Sequence, residues 1–169
     1  MPYLQGMEMR VLQRFPCAPR RYWDATRGEA FEARIRDAAE VDVEPIAREI
    51  RGEGRVWERY RVVHRQPMTL VAQKAFGASH LAYEQEVESD DDAMTTQWKV
   101  SPAFLADRVR CSGTSEVRSH PGGCERLIIG DVRVDLPFVG SVIERQIVDQ
   151  MTRSYAKAEP VIRRFLEEA

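Results

Sequence analysis

The sequence predicts an α+β protein in which a curved, seven-stranded antiparallel sheet surrounds a long C-terminal helix. Three observations support this fold class. Seven short segments alternate apolar and polar residues and are separated by turn residues, which is typical of an antiparallel sheet with one wet face. Two short helical patterns follow the first segment. The chain then closes with one long amphipathic helical pattern over residues 141–166.

The first strand is predicted from a shared parity. Met7, Met9, Val11, Gln13 and Phe15 alternate with mostly polar residues, so one face of this strand is expected to be buried. In the next segment, 41–51, neither parity is purely apolar. For the other strands, the positions predicted to face inward are Val56, Tyr60 and Val62; Leu81, Tyr83, Gln85 and Val87; Met94, Thr96, Trp98 and Val100; Val109, Cys111, Gly113, Ser115 and Val117; and Ile128, Gly130, Val132, Val134 and Leu136.

The two short helices are predicted from their breakers and their apolar spacing. Pro19 suits the first turn of a helix, and Gly28 separates this helix from the next. Phe31 and Ile35 lie one turn apart on the second helix and share a side. A further short helix is expected within residues 68–79, ended by Gly77.

The final helix has a predicted start and one discordant residue. Ser141 followed by Glu144 matches a capping box, in which each side chain binds a free backbone N–H. Pro160 lacks a backbone donor and predicts a bend, but the apolar arc continues beyond it. The arc contains Ile143, Ile147, Val148, Met151, Tyr155, Ala158, Val161, Ile162, Phe165 and Leu166.

Composition narrows the function classes. A chain of 169 residues fits one domain, 1–169. The net charge of −2 and the lack of a basic stripe give no footprint for nucleic acid, and no apolar run reaches the ~20 residues of a membrane span. Three scattered cysteines, Cys17, Cys111 and Cys124, indicate a reducing compartment, hence a cytoplasmic protein. No motif for a cofactor or a metal site is present.

The order of elements and three local stretches carry a resemblance. Residues 15–23 (FPCAPRRYW) form a strand that ends in a Pro-containing turn and an aromatic-bearing helix. Residues 132–140 (VRVDLPFVG) form a last strand followed by a Pro- and Gly-containing turn, and 141–166 form the last helix. In this the chain resembles the START-like (SRPBCC, Bet v 1-type) superfamily, in particular a group of bacterial single-domain members.

The resemblance implies a helix-grip fold with an internal cavity between the sheet and the last helix. Members of the superfamily mostly bind lipids, sterols or other hydrophobic small molecules there. We therefore expect the partner to be a hydrophobic small molecule or lipid. The residues expected to contact it are Tyr60, His64, Tyr83, Gln85, Met94, Thr96, Trp98, Ile143, Ile147, Met151 and Tyr155.

Several alternatives stay open at this stage. The same cavity would also suit an enzyme of the polyketide cyclase or aromatase kind, in which Glu58, His64 or Tyr83 serves in acid–base chemistry. A third interpretation is an interaction module with a filled core. The segment 68–79 is either a lid, a loop that touches a membrane transiently, or an ordinary packed connection. The sequence leaves the oligomeric state open.

Overall fold

The computed structural model describes residues 6–169, and within them the elements follow the predicted order. The strands are β1 (Met7–Phe15), β2 (Val41–Ile50), β3 (Arg55–Pro67), β4 (His80–Asp90), β5 (Thr95–Pro102), β6 (Val109–His120) and β7 (Gly123–Val134). The helices are α1 (Pro19–Ala25), α2 (Glu29–Ala39), α3 (Leu70–Phe76) and α4 (Gly140–Glu168).

These seven strands form one antiparallel sheet in the order β1-β7-β6-β5-β4-β3-β2. Consecutive strands from β2 to β7 are neighbours, whereas β1 pairs with β7 at the far end of the chain. This pairing brings the N-terminal strand beside the strand that leads into α4. The predicted α+β fold, a seven-stranded antiparallel sheet with a long C-terminal helix, is confirmed.

The predicted inner face of the sheet is also confirmed. On β1, Met9, Gln13 and Phe15 are at most 2% exposed, while Arg10 and Arg14 point to the opposite, exposed side. The inward residues of β7 and β6 are also buried, although on β7 the outward residues Glu125 and Leu127 are buried as well, at 8% and 9% exposure. The buried inward residues there are Val109, Cys111, Ser115 and Val117 of β6 and Cys124, Ile128, Val132 and Val134 of β7.

Strand β2 lacks a single apolar parity because it contains a β-bulge. Pro45 pairs with Tyr60, but the next paired residue is Ala47, opposite Arg59, so Ile46 is an extra residue. A bulge shifts the alternation of side chains by one. The residues of β2 that face the cavity described below, Val43 and Arg48, therefore have opposite parity.

The start of α4 differs from the prediction. The N-cap residue is Val139, and no side chain caps this end of the helix, so the capping box of Ser141 and Glu144 is wrong. Glu144 Oε1 instead accepts a hydrogen bond of 2.9 Å from the backbone N–H of Val134. Because that N–H belongs to the last residue of β7, the carboxylate ties the helix to the sheet. The helix continues through Pro160 to Glu168.

Helix α4 covers one half of the inner face, beside β1 and β7. Near its C-terminal end, Ile162 and Leu166 pack with residues of α1, β1 and β6 in a core cluster. Nearer its start, Ile147, Val148, Met151 and Tyr155 pack against a second cluster, which contains Met9, Trp98, Cys111, Ile128 and Val132. The helix is thus packed tightly where it meets the sheet.

Helix α3 lies within the predicted segment 68–79 and ends at Gly77 as predicted. The Thr69 side chain caps its N-terminus, and Gly77 ends it with a positive φ of 69°. Phe76 stacks on Phe104 with ring centroids 4.1 Å apart. Leu70 and Val71, in contrast, are 78% and 81% exposed, so this segment presents apolar side chains to solvent.

Candidate functional site

An open cavity of about 660 Å³ lies between the helices α1 and α2 and the inner face of the sheet. Most of its sheet residues come from β3, β4 and neighbouring strands, the half of the sheet that α4 leaves uncovered. No residue of α4 lines it among the described residues. Ligand pockets commonly have volumes of about 300–1,000 Å³, so this cavity is large enough for a small organic molecule.

Apolar side chains form opposite walls of the cavity. Phe31 and Ile35, the two residues predicted to share a side of α2, face the inner face of the sheet. The apolar and aromatic lining residues are Tyr22, Trp23, Phe31, Ile35, Val43, Val56, Tyr60, Val62, Val87 and Val117. The apolar wall of α2 thus faces the half of the sheet that α4 leaves uncovered.

Two of the arginines that line the cavity are neutralised by carboxylates. Arg36 pairs with Glu32 one turn earlier on α2, at 3.2 Å. Arg48 pairs with Glu58 across β2 and β3, at 3.4 Å, and the Arg48 side chain is 61% exposed. These pairs therefore lie at the wet side of the cavity, where β2 is the edge of the sheet.

Asp91, a third lining carboxylate, is also engaged. Its side chain accepts a hydrogen bond of 2.7 Å from Trp23 Nε1 and pairs with Arg20 at 3.2 Å. The bond from Trp23 and the charge of Arg20 hold the pKa of Asp91 below its usual range. Asp91 therefore remains ionised and fixes α1 to the turn after β4.

Arg126 lies on the inner face of β7 and reaches the cavity. Its Nε donates a hydrogen bond of 2.9 Å to Ser115 Oγ on β6. Its guanidinium also contacts the Tyr22 hydroxyl and lies 5.7 Å from the centroid of the Tyr155 ring. Within residues 6–169, no carboxylate oxygen comes within 4.0 Å of it. Arg126 is thus a cation among neutral partners.

Arg27, in the turn after α1, is the second cavity arginine without an ion pair in the described part of the chain. Its guanidinium stacks on the Trp23 ring at 3.5 Å and donates to Thr96 Oγ1 at 3.4 Å. Burial lowers the pKa of Arg27, and the positive charge of Arg126 acts in the same direction, while Asp91 and Glu58 oppose it. Arg27 is therefore influenced by the charge of Arg126, and more strongly by the charges of Asp91 and Glu58.

Three of the predicted contact residues line this cavity: Tyr60, Gln85 and Thr96. Tyr60 and Gln85 are paired across β3 and β4. Burial and a hydrogen bond with Glu58 raise the pKa of Tyr60 far above its usual value, so its phenol stays protonated. These residues therefore add neutral hydrogen-bonding groups to the apolar walls and the charged side chains of the cavity.

The other predicted residues lie elsewhere. His64 and Tyr83 face each other beyond the cavity, with ring centroids 5.8 Å apart; burial lowers the pKa of His64 and raises the pKa of Tyr83 to about 12. Met94 adopts a positive φ of 51° in the turn before β5 and packs on the first core cluster.

The predicted residues of α4 face the packed part of the interior. Ile147, Met151 and Tyr155 pack against the second core cluster, which contains Trp98 of β5, and Ile143 is half-buried in the first turns of the helix. The free space therefore lies beside α4, over the other half of the sheet, and not directly beneath the helix. The role of these residues in ligand contact stays a prediction.

Arg126 and Arg27 were not among the predicted residues. The predicted last strand has its first inward residue at Ile128, whereas β7 begins at Gly123. Extending the alternation back by two positions places Arg126 on the inner face, and this pattern could have identified it from the sequence. Arg27 follows α1 in a turn and no periodic pattern marks it. The α2 face was visible as Phe31 and Ile35, although its contact with a cavity was not.

A family described as "Protein of unknown function (DUF2505)" matches residues 10–166. The chain belongs to this family. No curated protein matches this DUF2505 member. In the described residues, no helix is long and apolar enough to cross a membrane.

Solved structures similar to this DUF2505 member share its fold at low identity. TTHA0849 from Thermus thermophilus superposes with a TM-score of 0.65 and 16% identity, over 96% of this chain and 98% of that one. The Zhui aromatase/cyclase from Streptomyces sp. R1128 gives 0.62 and 11%, over 96% and 93%. Ara h 8.0201 gives 0.63 and 12%, over 92% and 97%. The likeness confirms the helix-grip fold.

Proposed function

We propose that the protein binds a hydrophobic small molecule, of the lipid or sterol-like kind, in the cavity between α2 and the sheet, as a carrier or sensor. The observation that carries the proposal is an open space of about 660 Å³ with apolar side chains on two opposite walls. A ligand that removes about 300 Å² of apolar surface from water gains about 7.5 kcal/mol at about 25 cal/mol per Å². That gain is offset in part by the entropy lost on association.

The charged groups of the cavity favour binding over acid–base catalysis. Glu32, Glu58 and Asp91 are each held in an ion pair with an arginine. A general acid or base works best with a pKa near the operating pH, and Tyr60 has its pKa raised far above that range. These side chains are better suited to orienting a guest than to exchanging protons with it.

A cyclase or aromatase is the second candidate function. It is supported by the likeness to the Zhui aromatase/cyclase and by the neighbouring Glu58 and Tyr60 in the cavity. It differs from a carrier in a measurable way. Glu58→Gln would abolish turnover of a linear poly-β-ketone substrate while leaving its binding intact, whereas a carrier would release such a substrate chemically unchanged.

The proposal is tested by uptake of the neutral fluorophore N-phenyl-1-naphthylamine, together with native mass spectrometry of freshly purified protein. Val43→Trp places an indole inside the cavity from β2 and should abolish uptake. Glu44→Trp adds the same indole to the neighbouring, exposed position of that strand and should leave uptake unchanged. Equal uptake by both variants would exclude this cavity as the binding site. No uptake by the folded parent protein would exclude ligand binding and favour an interaction module.

A further inference from the structure

We propose that the guest of this cavity carries an acidic head group, a carboxylate on an apolar chain or ring, and that Arg126 and Arg27 bind it. This inference rests on the proposed binding function and names the chemical class of the ligand. Its basis is a difference among the four arginines that line the cavity. Arg36 and Arg48 have carboxylate partners, whereas Arg27 and Arg126 have none among the described residues.

The partners of Arg126 leave much of its binding capacity free. A guanidinium has five N–H donors and no acceptor. In this structure Nε binds Ser115, and the Tyr22 hydroxyl contacts the group. The aromatic ring of Tyr155 lies further away, at 5.7 Å. The outer N–H groups can therefore form the paired bonds with which arginine binds a carboxylate.

The surroundings of Arg126 do not neutralise it. Burial raises the pKa of Tyr22 and of Tyr155, so both phenols stay uncharged at neutral pH and are not counter-ions. Burying a cation without a counter-ion is costly. Arg27 lines the same cavity and carries a like charge, although Asp91 and Glu58 act on Arg27 more strongly than Arg126 does. An anionic group bound at Arg126 removes the cost of burying that cation without a counter-ion.

The carboxylates of the protein are poorly placed for that task. Glu58 is paired with Arg48, and Asp91 is held by Arg20 and the indole of Trp23. Moving either would break existing charge-assisted bonds. The cation pair is therefore open to a group from outside the chain.

The positions of Arg126 and Arg48 also fix the orientation of the guest in the cavity. Arg126 belongs to β7, two strands beyond β5, whereas the paired Arg48 belongs to the edge strand β2. Phe31, Ile35 and Val62 line the same cavity. A carboxylate at Arg126 would therefore lie at the inner end, with the apolar part of the ligand extending along the α2 wall towards β2.

The test compares two probes of equal chain length that differ only in the head group, decanoate and decanol. Each displaces N-phenyl-1-naphthylamine from the intact protein at a pH where decanoate is ionised. Bonds to a charged group are worth more than neutral ones, so we expect decanoate to bind about tenfold more tightly than decanol. Arg126→Gln keeps a donor for Ser115 but loses the charge, and it should bring this ratio close to one. Arg126→Lys should retain most of it.

The outcomes separate this inference from the proposed function. If the fluorophore and decanol bind but decanoate has no advantage in the parent protein, the acidic head group is excluded and hydrophobic binding stands. If no probe binds, the binding function itself fails. A folded Arg126→Gln protein that keeps the tenfold ratio would exclude Arg126 as the anchor. Should that variant not fold, Arg27→Gln is used instead, and an unchanged ratio in it would equally overturn the paired site.

Discussion

The indole of Trp98 lies directly against Gly113 on the neighbouring strand. A Cβ atom built on Gly113 would be 2.5 Å from Trp98 Cζ2 and 2.1 Å from the carbonyl oxygen of Ile129. Gly130, the next residue across the sheet, lies under the same indole, with a built Cβ 3.0 Å from Trp98 Cη2. Two glycines in register thus let a large ring lie flat on the sheet beneath α4.

Gly113→Ala should therefore destabilise the protein by about 2 kcal/mol or more, because a backbone oxygen cannot move aside as a flexible side chain can. The measurement is the urea midpoint at unchanged m-value. Gly28→Ala is the matched control, since nothing lies within 4 Å of a Cβ at Gly28. A Gly113→Ala midpoint equal to that of the control would mean that the strands separate easily at this point.

Much of this fold could be predicted from local patterns. Alternation identified the inner face of β1, β6 and β7, since a half-buried strand has a period of two. Pro19 and Gly77 marked the start of α1 and the end of α3 because each has a strong backbone preference. These signals act within a few residues of the chain, and a sequence displays them directly.

The features that could not be predicted depend on contacts between distant elements. The bulge at Ile46 in β2 reverses the alternation midway, so no single parity could mark the buried side. Which half of the inner face stays open depends on where α4 packs. The apolar arc of α4 is equally compatible with either half. Arg126 can be recognised as a candidate ligand contact only once α1 and α2 are known to close over it, and once no carboxylate is found beside it among the described residues.

The two candidates for the start of α4 give opposite expectations for Ser141 and Glu144. A capping box would make Ser141→Ala costly. In the structure the Glu144 carboxylate binds the N–H of Val134, a residue that is 5% exposed. Glu144→Ala should thus cost about 1–3 kcal/mol, because it leaves a buried donor without a partner.

Thermal or urea unfolding of both variants decides between them. Ser141→Ala should leave stability almost unchanged, since no side chain caps the helix in the described structure. A larger loss for Ser141→Ala than for Glu144→Ala would restore the capping box.

The three cysteines should differ sharply in reactivity. Burial raises the pKa of Cys111 to about 11 and that of Cys124 to about 12, and these residues are 4% and 0% exposed. Thiolates are the reactive form, so neither should react with a thiol reagent in the native protein near pH 8. Cys17 is partly exposed and should react alone.

Thiol titration with and without denaturant measures this directly. We expect one fast-reacting thiol in the native state and three in the unfolded chain. Cys17→Ser should remove the fast phase. A fast phase that survives this substitution would show that the sheet opens at Cys111 or Cys124.

Glu125 should account for part of the acid sensitivity of the fold. It is 8% exposed on the outer face of β7, where it binds Arg118 and Arg14. The hydrogen bond from Arg118 is the main reason that the pKa of Glu125 lies below its usual value of 4.5. Because the pKa is lower in the folded chain, ionised Glu125 stabilises the fold above the unfolded pKa, and this stabilisation is lost as the pH falls through the folded pKa.

Glu125→Gln should consequently be less stable than the parent protein at neutral pH and lose less of its stability on acidification. The measurement is the free energy of unfolding in urea between about pH 6 and pH 3. Glu116→Gln, at an exposed outward position of β6, should follow the pH profile of the parent. If the Glu125→Gln profile runs parallel to the parent's down to the acid limit, the cluster around Glu125 contributes nothing that depends on its charge. The acid sensitivity would then have to come from other carboxylates with lowered pKa values, such as Asp90 and Asp91.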